Sequence, residues 1–383
     1  MKIALVSPYD YAYPGGVSIH VAQLAAQFTQ GGHSVHILTP SSKPSGSARI
    51  IRLGRPVPIP SGGSMARISL SLWLLPKIRA LLEREQFDVV HLHEPLAPFL
   101  PLAVLHYSKS VNVGTFHAFH GSGRLYGVSR FFLTGSMAKL HGRIAVSAPA
   151  LRFVARHFPA EYRLIPNGID MEHFSRPAVP LPELADGKLN ILFVGRMERR
   201  KGLQYLLAAY SRLKWEFPDL RLVVVGPGTP DKDTFRVMGA RNIRDVVFVG
   251  AVPYSELPRY YQAGHIFCSP ATGKESFGMI LLEAMAAGRP IVASRIEGYA
   301  SVLTHGGEGL MVRPRDEAAL AGALRRLIVN PELRQRLGQA GQAKAREYSW
   351  AIVSAKVMEY YRELLERRRV SPDLVSTSGL RDP

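Results

Sequence analysis

Two carboxylates in an otherwise apolar stretch are the residues whose spacing most clearly suggests chemistry. Glu275 and Glu283 lie eight positions apart in ESFGMILLE, which AMAAG follows. The Met, Leu and Ala content favours a helix from Gly278 onward, so that Glu275 precedes the first turn and Glu283 lies on roughly the same side. The N–H groups of Phe277, Gly278 and Met279 at the helix start attract phosphate. The pattern therefore indicates a site for a sugar joined to a diphosphate.

A purely structural interpretation of the two acids also exists. Glu275 could interact only with the helix dipole, and Glu283 could be a solvated residue. The neighbours of Glu283 are apolar on both sides, and a buried carboxylate needs a partner. The functional interpretation is therefore favoured for Glu283.

Cations follow the predicted strand Asn190–Val194, in the sequence GRMERRKG. Ligands of doubly wound sheets bind at the carboxyl ends of strands. Arg196 and Lys201 are therefore candidates to hold a diphosphate and to neutralise charge on a leaving group. The alternative is an ordinary basic loop, and Arg199 and Arg200 are expected to be solvated.

The first half of the chain offers weaker signals. Gly15 and Gly16 follow the first predicted strand, where paired glycines let backbone N–H groups approach a phosphate, although Pro-Gly-Gly is also an ordinary turn. His117 ends another strand, and this position is equally consistent with a catalytic and a structural role. His91 and His93 share a strand face, but no third ligand lies nearby in the sequence, so no metal site is predicted.

Two further motifs resemble known functional motifs but are not interpreted as such. Gly226-Pro-Gly228 begins like a dinucleotide fingerprint, but Asp231 occupies the third glycine position, which argues against a nicotinamide oxidoreductase. Asp231-Lys-Asp233 has the Asp-x-Asp spacing of metal-dependent sugar transfer, yet it lies in a polar segment where aspartates favour helix caps. We interpret it as a cap.

Composition limits the partners. Lys and Arg number 48 against 30 Asp and Glu, a net charge of +18, which suits nucleic acid, anionic lipid or a phosphorylated substrate. Residues 1–170 hold 17 basic and 7 acidic side chains, hence +10. No aromatic platform or recognised motif supports nucleic acid. The single cysteine, Cys268, excludes an intrachain disulfide and a Cys-based zinc site and fits a reducing cytoplasm.

Short apolar runs alternate with amphipathic segments, the pattern of parallel sheets covered by helices. The expected class is α/β, with two doubly wound Rossmann-like domains facing a central cleft. The expected divisions are an N-terminal acceptor-side domain over 1–170, a proline-rich linker over 171–188, a donor domain over 189–348, a helix over 349–369 that packs back on the N-terminal domain, and a disordered tail over 370–383. Strand candidates are Lys2–Ser7, Ser34–Thr39, Arg49–Leu53, Asp88–His93, Val111–His117, Arg143–Ser147, Tyr162–Pro166, Asn190–Gly195, Arg221–Gly226, Val246–Gly250, His265–Ser269, Pro290–Ser294 and Gly309–Val312.

One segment suggests a membrane surface. Residues 65–84 combine Trp73 and several leucines with basic residues, as interfacial helices do. A cationic helix covering a sheet would look similar, and Pro76 interrupts the segment. No apolar run approaches the ~18 residues that span a bilayer, so membrane contact is expected to be peripheral.

Over nearly its whole length the chain resembles the retaining glycosyltransferases of family 4, which have the GT-B fold. Within that family it looks most like phosphatidylinositol mannosyltransferases, which transfer mannose from GDP-mannose to an inositol lipid at the cytoplasmic membrane. The motifs that carry the resemblance are Pro14-Gly-Gly-Val17, Val57-Pro-Ile-Pro60, Gly63-Ser-Met-Ala-Arg67, His91-Leu-His-Glu-Pro95, Thr115-Phe-His117, Ile165-Pro-Asn-Gly-Ile-Asp170, Gly195-Arg196, Lys201-Gly202 and the two glutamates from Glu275 to Glu283.

The resemblance implies a role for each matching residue. It implies a peripheral enzyme at the inner face of the cell membrane that uses a nucleotide-diphosphate sugar, with no tightly bound cofactor and no protein-bound metal centre. The implied donor residues are Gly15, Gly16, Arg196, Lys201, Glu275, Phe277, Gly278, Met279 and Glu283, of which Glu275 meets the sugar hydroxyls and Glu283 the ribose. The implied catalytic residues are His117, Arg196, Lys201 and Glu275, and the implied acceptor residues are Tyr9, Ser18 and Arg67.

The chain departs from the inositol enzymes on the acceptor side. Ser18 stands where those enzymes tend to carry Gln, Ser61-Gly62 replaces a Tyr-Asn pair, and Phe119-His120 replaces small hydroxyl residues. One alternative is therefore a family-4 transferase that uses a UDP-sugar on a soluble or cell-surface glycan. An alternative from another class is a polyanion- or nucleic-acid-binding protein. The oligomeric state is not predicted.

Overall fold

The chain forms two compact units, each built on one sheet. The computed structural model describes residues 1–13, 15–44, 47–61, 64–117, 133–240 and 243–370. The first unit contains Met1–Gly168 and the chain from Trp350 onward, and the second is Ile169–Ser349. Pro14, Gly62, Gly63, Phe119 and His120, together with residues 371–383 of the expected tail, lie outside the described residues.

A seven-stranded parallel sheet organises the first unit, in the order β3-β2-β1-β6-β7-β8-β9. Chain order reverses between β1 and β6, where Ile3 pairs with Val89, and this reversal is the switch point beside which doubly wound folds bind ligands. The strands of this unit, including the hairpin β4–β5, are β1 Lys2–Val6, β2 Ser34–Thr39, β3 Ile50–Arg52, β4 Val57–Ser61, β5 Ser64–Ile68, β6 Val89–His93, β7 Val111–Phe116, β8 Gly142–Ala145 and β9 Arg163–Leu164. Its helices include Gly16–Gln30, Leu75–Glu85, Leu100–Tyr107, Ala148–His157 and Trp350–Val370.

The central strands form because both sheet faces are covered. Ile3, Ala4, Leu5 and Val6 are all fully buried, and they alternate between two apolar clusters. A strand buried on both faces is apolar at every position rather than at alternate ones. This explains why the runs are visible in the sequence.

The C-terminal helix Trp350–Val370 belongs to the first unit. It buries Val353, Val357, Tyr361 and Leu364 in the same cluster as Ile3 and Leu5. The Arg163 guanidinium donates to both carboxylate oxygens of Glu363 on this helix, at 2.8 and 2.6 Å. The chain thus returns to its first unit after completing the second.

The segment over 65–84 is not one helix. Its first residues complete the antiparallel hairpin β4–β5, Leu72–Leu74 form a short 3₁₀ turn, and the α-helix is Leu75–Glu85. Pro76 lies in the first turn of that helix, where a missing N–H costs nothing. Pro76 therefore starts the helix rather than interrupting it. Within the part of the chain that the structure describes, each helix is too short or too polar to span a bilayer.

The second unit has a six-stranded parallel sheet in the order β12-β11-β10-β13-β14-β15. Its switch point lies between β10 and β13. The strands are β10 Leu189–Val194, β11 Leu220–Val225, β12 Val246–Gly250, β13 Ile266–Ser269, β14 Ile291–Ser294 and β15 Gly309–Val312. The helices are Met171–Ser175, Leu203–Glu216, Lys232–Ala240, Leu257–Ala263, Met279–Ala286, Glu297–Ala300, Glu317–Ile328 and Pro331–Ala345.

The expected linker over 171–188 differs from what the structure shows. The segment contains the helix Met171–Ser175, and Phe174, Leu181 and Leu184 are buried in the second unit's core. Three apolar residues among prolines, without helical or strand spacing, gave no periodic signal. Their burial makes this segment part of the second unit.

Candidate active site

The switch point of the second sheet brings the predicted cations and Glu275 together. β10 ends at Val194 and leads into the loop with Arg196 and the 3₁₀ turn Arg199–Lys201. The neighbouring strand β13 ends at Ser269 and leads into the loop with Glu275. Parallel strands present their carboxyl ends at the same sheet edge, so two loops distant in sequence meet there.

Glu275 is shared between two cations. Its Oε1 lies 2.7 Å from the Lys201 Nζ and 2.5 Å from an Arg200 terminal nitrogen. The exposed fractions of these side chains are 14% for Glu275, 13% for Lys201 and 24% for Arg200. Charge-assisted hydrogen bonds between side chains that are largely shielded from solvent are short and directional. They fix the carboxylate between the two cations.

Arg200 corrects the expectation of a solvated side chain. Besides the bond to Glu275, its second terminal nitrogen lies 2.7 Å from Glu198 Oε2. Arg196 is the more open cation, with 49% of its side chain exposed and a looser approach of 3.8 Å to Glu198 Oε1. The sequence showed three arginines in one loop, but it could not show that Arg200 crosses to Glu275.

Two glycines fix the loop around Glu275. A Cβ on Gly298 would lie 1.9 Å from the Glu275 carbonyl oxygen, so only glycine permits this approach. Gly278 precedes the helix Met279–Ala286 with φ +104°, in the left-handed region. No described side chain caps this helix. Its first N–H groups are therefore open to an anion, while the Phe277 side chain packs in the core.

Glu283 is partly buried on the helix Met279–Ala286. The hydroxyl of Tyr261, itself fully buried, donates to Glu283 Oε2 at 2.7 Å. Burial raises the pKa of the Glu283 carboxyl, while the Tyr261 bond and the Lys201 charge oppose that rise. Burial also holds the pKa of Tyr261 well above 10.0, so the phenol stays protonated as a donor. Tyr261, 22 positions away, is a site residue that the sequence did not reveal.

Histidines gather at the corresponding edge of the first sheet. His117 follows β7, and its backbone N–H donates to Glu94 Oε1 at 2.8 Å. The ring of His117 stacks on that of His93, with Nε2 of His117 3.0 Å from Nδ1 of His93. The His20 ring meets both edge-on. His117 is thus held in one orientation, and His20 is a neighbour that sequence reasoning missed.

His91 does not pair with His93 as a metal site. Its ring nitrogens lie 2.5 Å from the Tyr361 hydroxyl and 2.6 Å from Thr115 Oγ1. Both nitrogens therefore have hydrogen-bond partners, which makes His91 a structural residue of the first core.

Gly15 and Gly16 border open space. Gly15 precedes the helix Gly16–Gln30, and no described side chain caps it. A Cβ at either glycine would meet no described atom within 4 Å. Within the described part of the chain, packing therefore does not require glycine at these two positions.

Two of the three predicted acceptor residues lie close together in the fold, and the third is buried. Tyr9 pairs with Ile68 as an antiparallel bridge, and the Asp10 N–H donates to the Arg67 carbonyl at 2.9 Å. Tyr9 and Arg67 are thus close in the fold, and the Arg67 guanidinium lies 3.8 Å over the Tyr13 ring. Ser18 is 6% exposed on the helix Gly16–Gln30, so little of it is available to a ligand.

Comparison with known proteins agrees with this architecture. The family model "Glycosyl transferases group 1" matches residues 181–344, and "Glycosyltransferase Family 4" matches residues 14–173. Phosphatidyl-myo-inositol mannosyltransferase of Mycobacterium tuberculosis is 37% identical over 94% of this chain and 96% of the relative. The enzyme of that name from Mycolicibacterium smegmatis is 34% identical over 94% and 93%. Sucrose-phosphate synthase from Thermosynechococcus elongatus superposes with a TM-score of 0.76 at 24% identity, over 96% of this chain and 99% of that one.

Fold and matches together define a glycosyltransferase of the GT-B class. More narrowly, the chain belongs to glycosyltransferase family 4 and is a hexosyltransferase.

The raised pKa of Glu283 predicts a pH-dependent cost to folding. A carboxyl whose folded pKa is raised contributes stability below its unfolded value of 4.5, and that contribution is lost as pH rises through the folded pKa. Glu283→Gln keeps the shape without the charge, so its second unit should be at least as stable as wild type at pH 8. Thermal unfolding from pH 4 to 8 measures the difference. Tyr261→Phe removes a hydrogen bond to the charged form of Glu283 and should therefore enlarge the loss of stability between pH 4 and 8. A Glu283→Gln variant that is less stable than wild type at pH 8 would contradict this account.

Proposed function

We propose that this enzyme transfers mannose with retention from GDP-mannose to a phosphatidylinositol-type lipid at a membrane surface. The observation that carries the proposal is the carboxylate of Glu275 bridged by Lys201 and Arg200 beside an uncapped helix start. This arrangement offers positive charge for a diphosphate and a fixed acceptor for sugar hydroxyls. The names of the relatives supply the sugar and the lipid.

In this proposal the second unit binds the donor. Arg196 and Lys201 hold the diphosphate, and the N–H groups at the start of the helix Met279–Ala286 add to them. Glu275 accepts hydrogen bonds from the sugar, and Glu283, oriented by Tyr261, accepts them from the ribose. When the bond from sugar to phosphate breaks, negative charge grows on the leaving diphosphate, and preorganised cations stabilise it.

We assign supporting roles to the first unit. The open space at Gly15 and Gly16 suits the approach of a phosphate to backbone N–H groups. His117 is proposed to meet the reacting sugar, because the Glu94 bond and the His93 stack hold its position. Arg67, with Tyr9 nearby, is proposed to meet an acceptor phosphate.

Membrane contact is proposed for the surface formed by the hairpin β4–β5 and the start of the helix Leu75–Glu85. Trp73 is 94% exposed, and Met65 and Leu70 are exposed as well. Lys77 and Arg79 are exposed on the helix, whose Ile78, Leu81 and Leu82 face the core. An exposed indole beside cations suits the headgroup region of an anionic leaflet.

A transfer assay tests the proposed substrates. The enzyme is incubated with GDP-mannose, GDP-glucose, UDP-glucose or UDP-galactose, with and without phosphatidylinositol vesicles, and sugar on the lipid is measured by mass spectrometry. We expect mannosylated lipid from GDP-mannose only. Faster donor turnover with a UDP-sugar, unaffected by the lipid, would instead favour the soluble-glycan alternative.

The cations of the loop after β10 should differ in their contributions to turnover. Arg196→Ala and Lys201→Ala should each lower turnover roughly 10²-fold or more, the scale of losing one preorganised stabiliser of developing charge. Arg200→Ala should lower turnover while leaving GDP affinity near wild type, because Arg200 acts through Glu275. The exposed Arg199→Ala is the matched control from the same turn and should keep near-normal activity. Near-normal turnover of both Arg196→Ala and Lys201→Ala would refute the diphosphate assignment.

Vesicle sedimentation tests the membrane surface. Binding should rise with the anionic lipid fraction and fall with salt, since juxtamembrane cations contribute about 1 kcal/mol each and salt screens them. Joint replacement of Lys77 and Arg79 by Gln should weaken the salt-sensitive part of vesicle binding. Trp73→Ala should weaken the part of vesicle binding that persists at high salt. Protein that stays in the supernatant with anionic vesicles at low salt would remove the physical support for a lipid acceptor.

A further inference from the structure

Three histidines of the first unit lie close together. His20 comes from the helix Gly16–Gln30, His93 from the end of β6 and His117 from the residue after β7. One ring nitrogen of each lies within 4.8 Å of the other two. Their exposed fractions are 6%, 0% and 8%. Three separate elements therefore bring three imidazoles into one buried cluster.

Two nitrogens of the cluster lack hydrogen bonds within the described part of the chain. These are Nδ1 of His20 and Nε2 of His93. A buried polar atom without a partner costs free energy and calls for an explanation such as an ion. The neighbouring His91 provides the contrast, since both of its ring nitrogens have partners.

We propose that His20, His93 and His117 form a binding site for one divalent transition-metal ion of the zinc type. Imidazole ligands favour Zn²⁺, Cu²⁺ and Ni²⁺ over Mg²⁺ and Ca²⁺, which prefer oxygen. Tetrahedral coordination with Zn–N bonds of 2.0–2.1 Å places ligand nitrogens about 3.3 Å apart. His93 Nδ1 and His117 Nε2 lie 3.0 Å apart, within hydrogen-bond distance of each other, so an ion held by both atoms would replace that bond. One nitrogen of each of the three rings lies within 4.8 Å of the other two.

The bound ion would inhibit transfer. This consequence rests on the proposed function, in which the His117 ring meets the reacting sugar. A metal on His117 would occupy that ring and hold water at its open fourth position. The site is therefore inhibitory, and no step of the proposed reaction uses it.

Cobalt titration of the chelator-treated full chain tests the site directly. Co²⁺ bound by three imidazoles and water should give the visible absorption of a tetrahedral ion, saturate at one per chain and be displaced by Zn²⁺. His20→Phe and His93→Phe should each weaken binding by more than about 100-fold, beyond the 10–100-fold typical of outer-shell changes. His20→Gln is the second variant if the Phe variants do not fold. His106→Ala, an exposed histidine outside the cluster, should leave binding unchanged.

The outcomes separate the site from the proposed function. No tetrahedral spectrum in wild type, or binding that survives loss of His20 and His93, would overturn the metal site. Tight binding with full transfer activity would keep the site but refute inhibition and the assigned contact of His117. Inhibition by Zn²⁺ that His20→Phe relieves would support both parts.

Discussion

The Glu275 carboxylate between Lys201 and Arg200 is the interaction on which the donor-binding account depends. One oxygen accepts from both cations, at 2.5 Å from Arg200 and 2.7 Å from Lys201, which fixes the position of the carboxylate. Lys201 also acts on Glu283, where its charge opposes the rise in pKa caused by burial. A single ammonium thus influences both glutamates. An incoming diphosphate would compete for that ammonium while Arg200 retains Glu275.

Sheet topology explains why these groups meet. In each unit the strand order reverses once, beside β1 and β6 in the first sheet and beside β10 and β13 in the second. In the first unit the histidine cluster lies on the helix after β1, at the end of β6 and directly after β7, and in the second unit the loop after β13 carries the shared glutamate. Close backbone approach, such as Gly298 against Glu275, then fixes the loops. In both units the candidate site residues thus lie near the point where the strand order reverses, although the residues differ.

Much of the fold could be predicted because its strands are buried on both faces. Runs such as Lys2–Val6 and Leu220–Val225 are almost uniformly apolar, and their predicted bounds differ from the observed ones by about a residue. The hairpin β4–β5 was not predicted, because prolines and glycines obscure its alternation. Arg200, Tyr261 and His20 could not be identified as site neighbours, because their partners lie on other elements. Local sequence patterns specify elements, whereas contacts between loops depend on how the sheet orders its strands.

The division of labour between the two glutamates is the central claim, and calorimetry tests it most directly. GDP and GDP-mannose are titrated into wild type, Glu275→Gln and Glu283→Gln. We predict that Glu283→Gln weakens binding of both ligands, because both contain the ribose, and that Glu275→Gln leaves GDP affinity unchanged while weakening GDP-mannose. Equal losses of GDP affinity in the two variants would contradict the account.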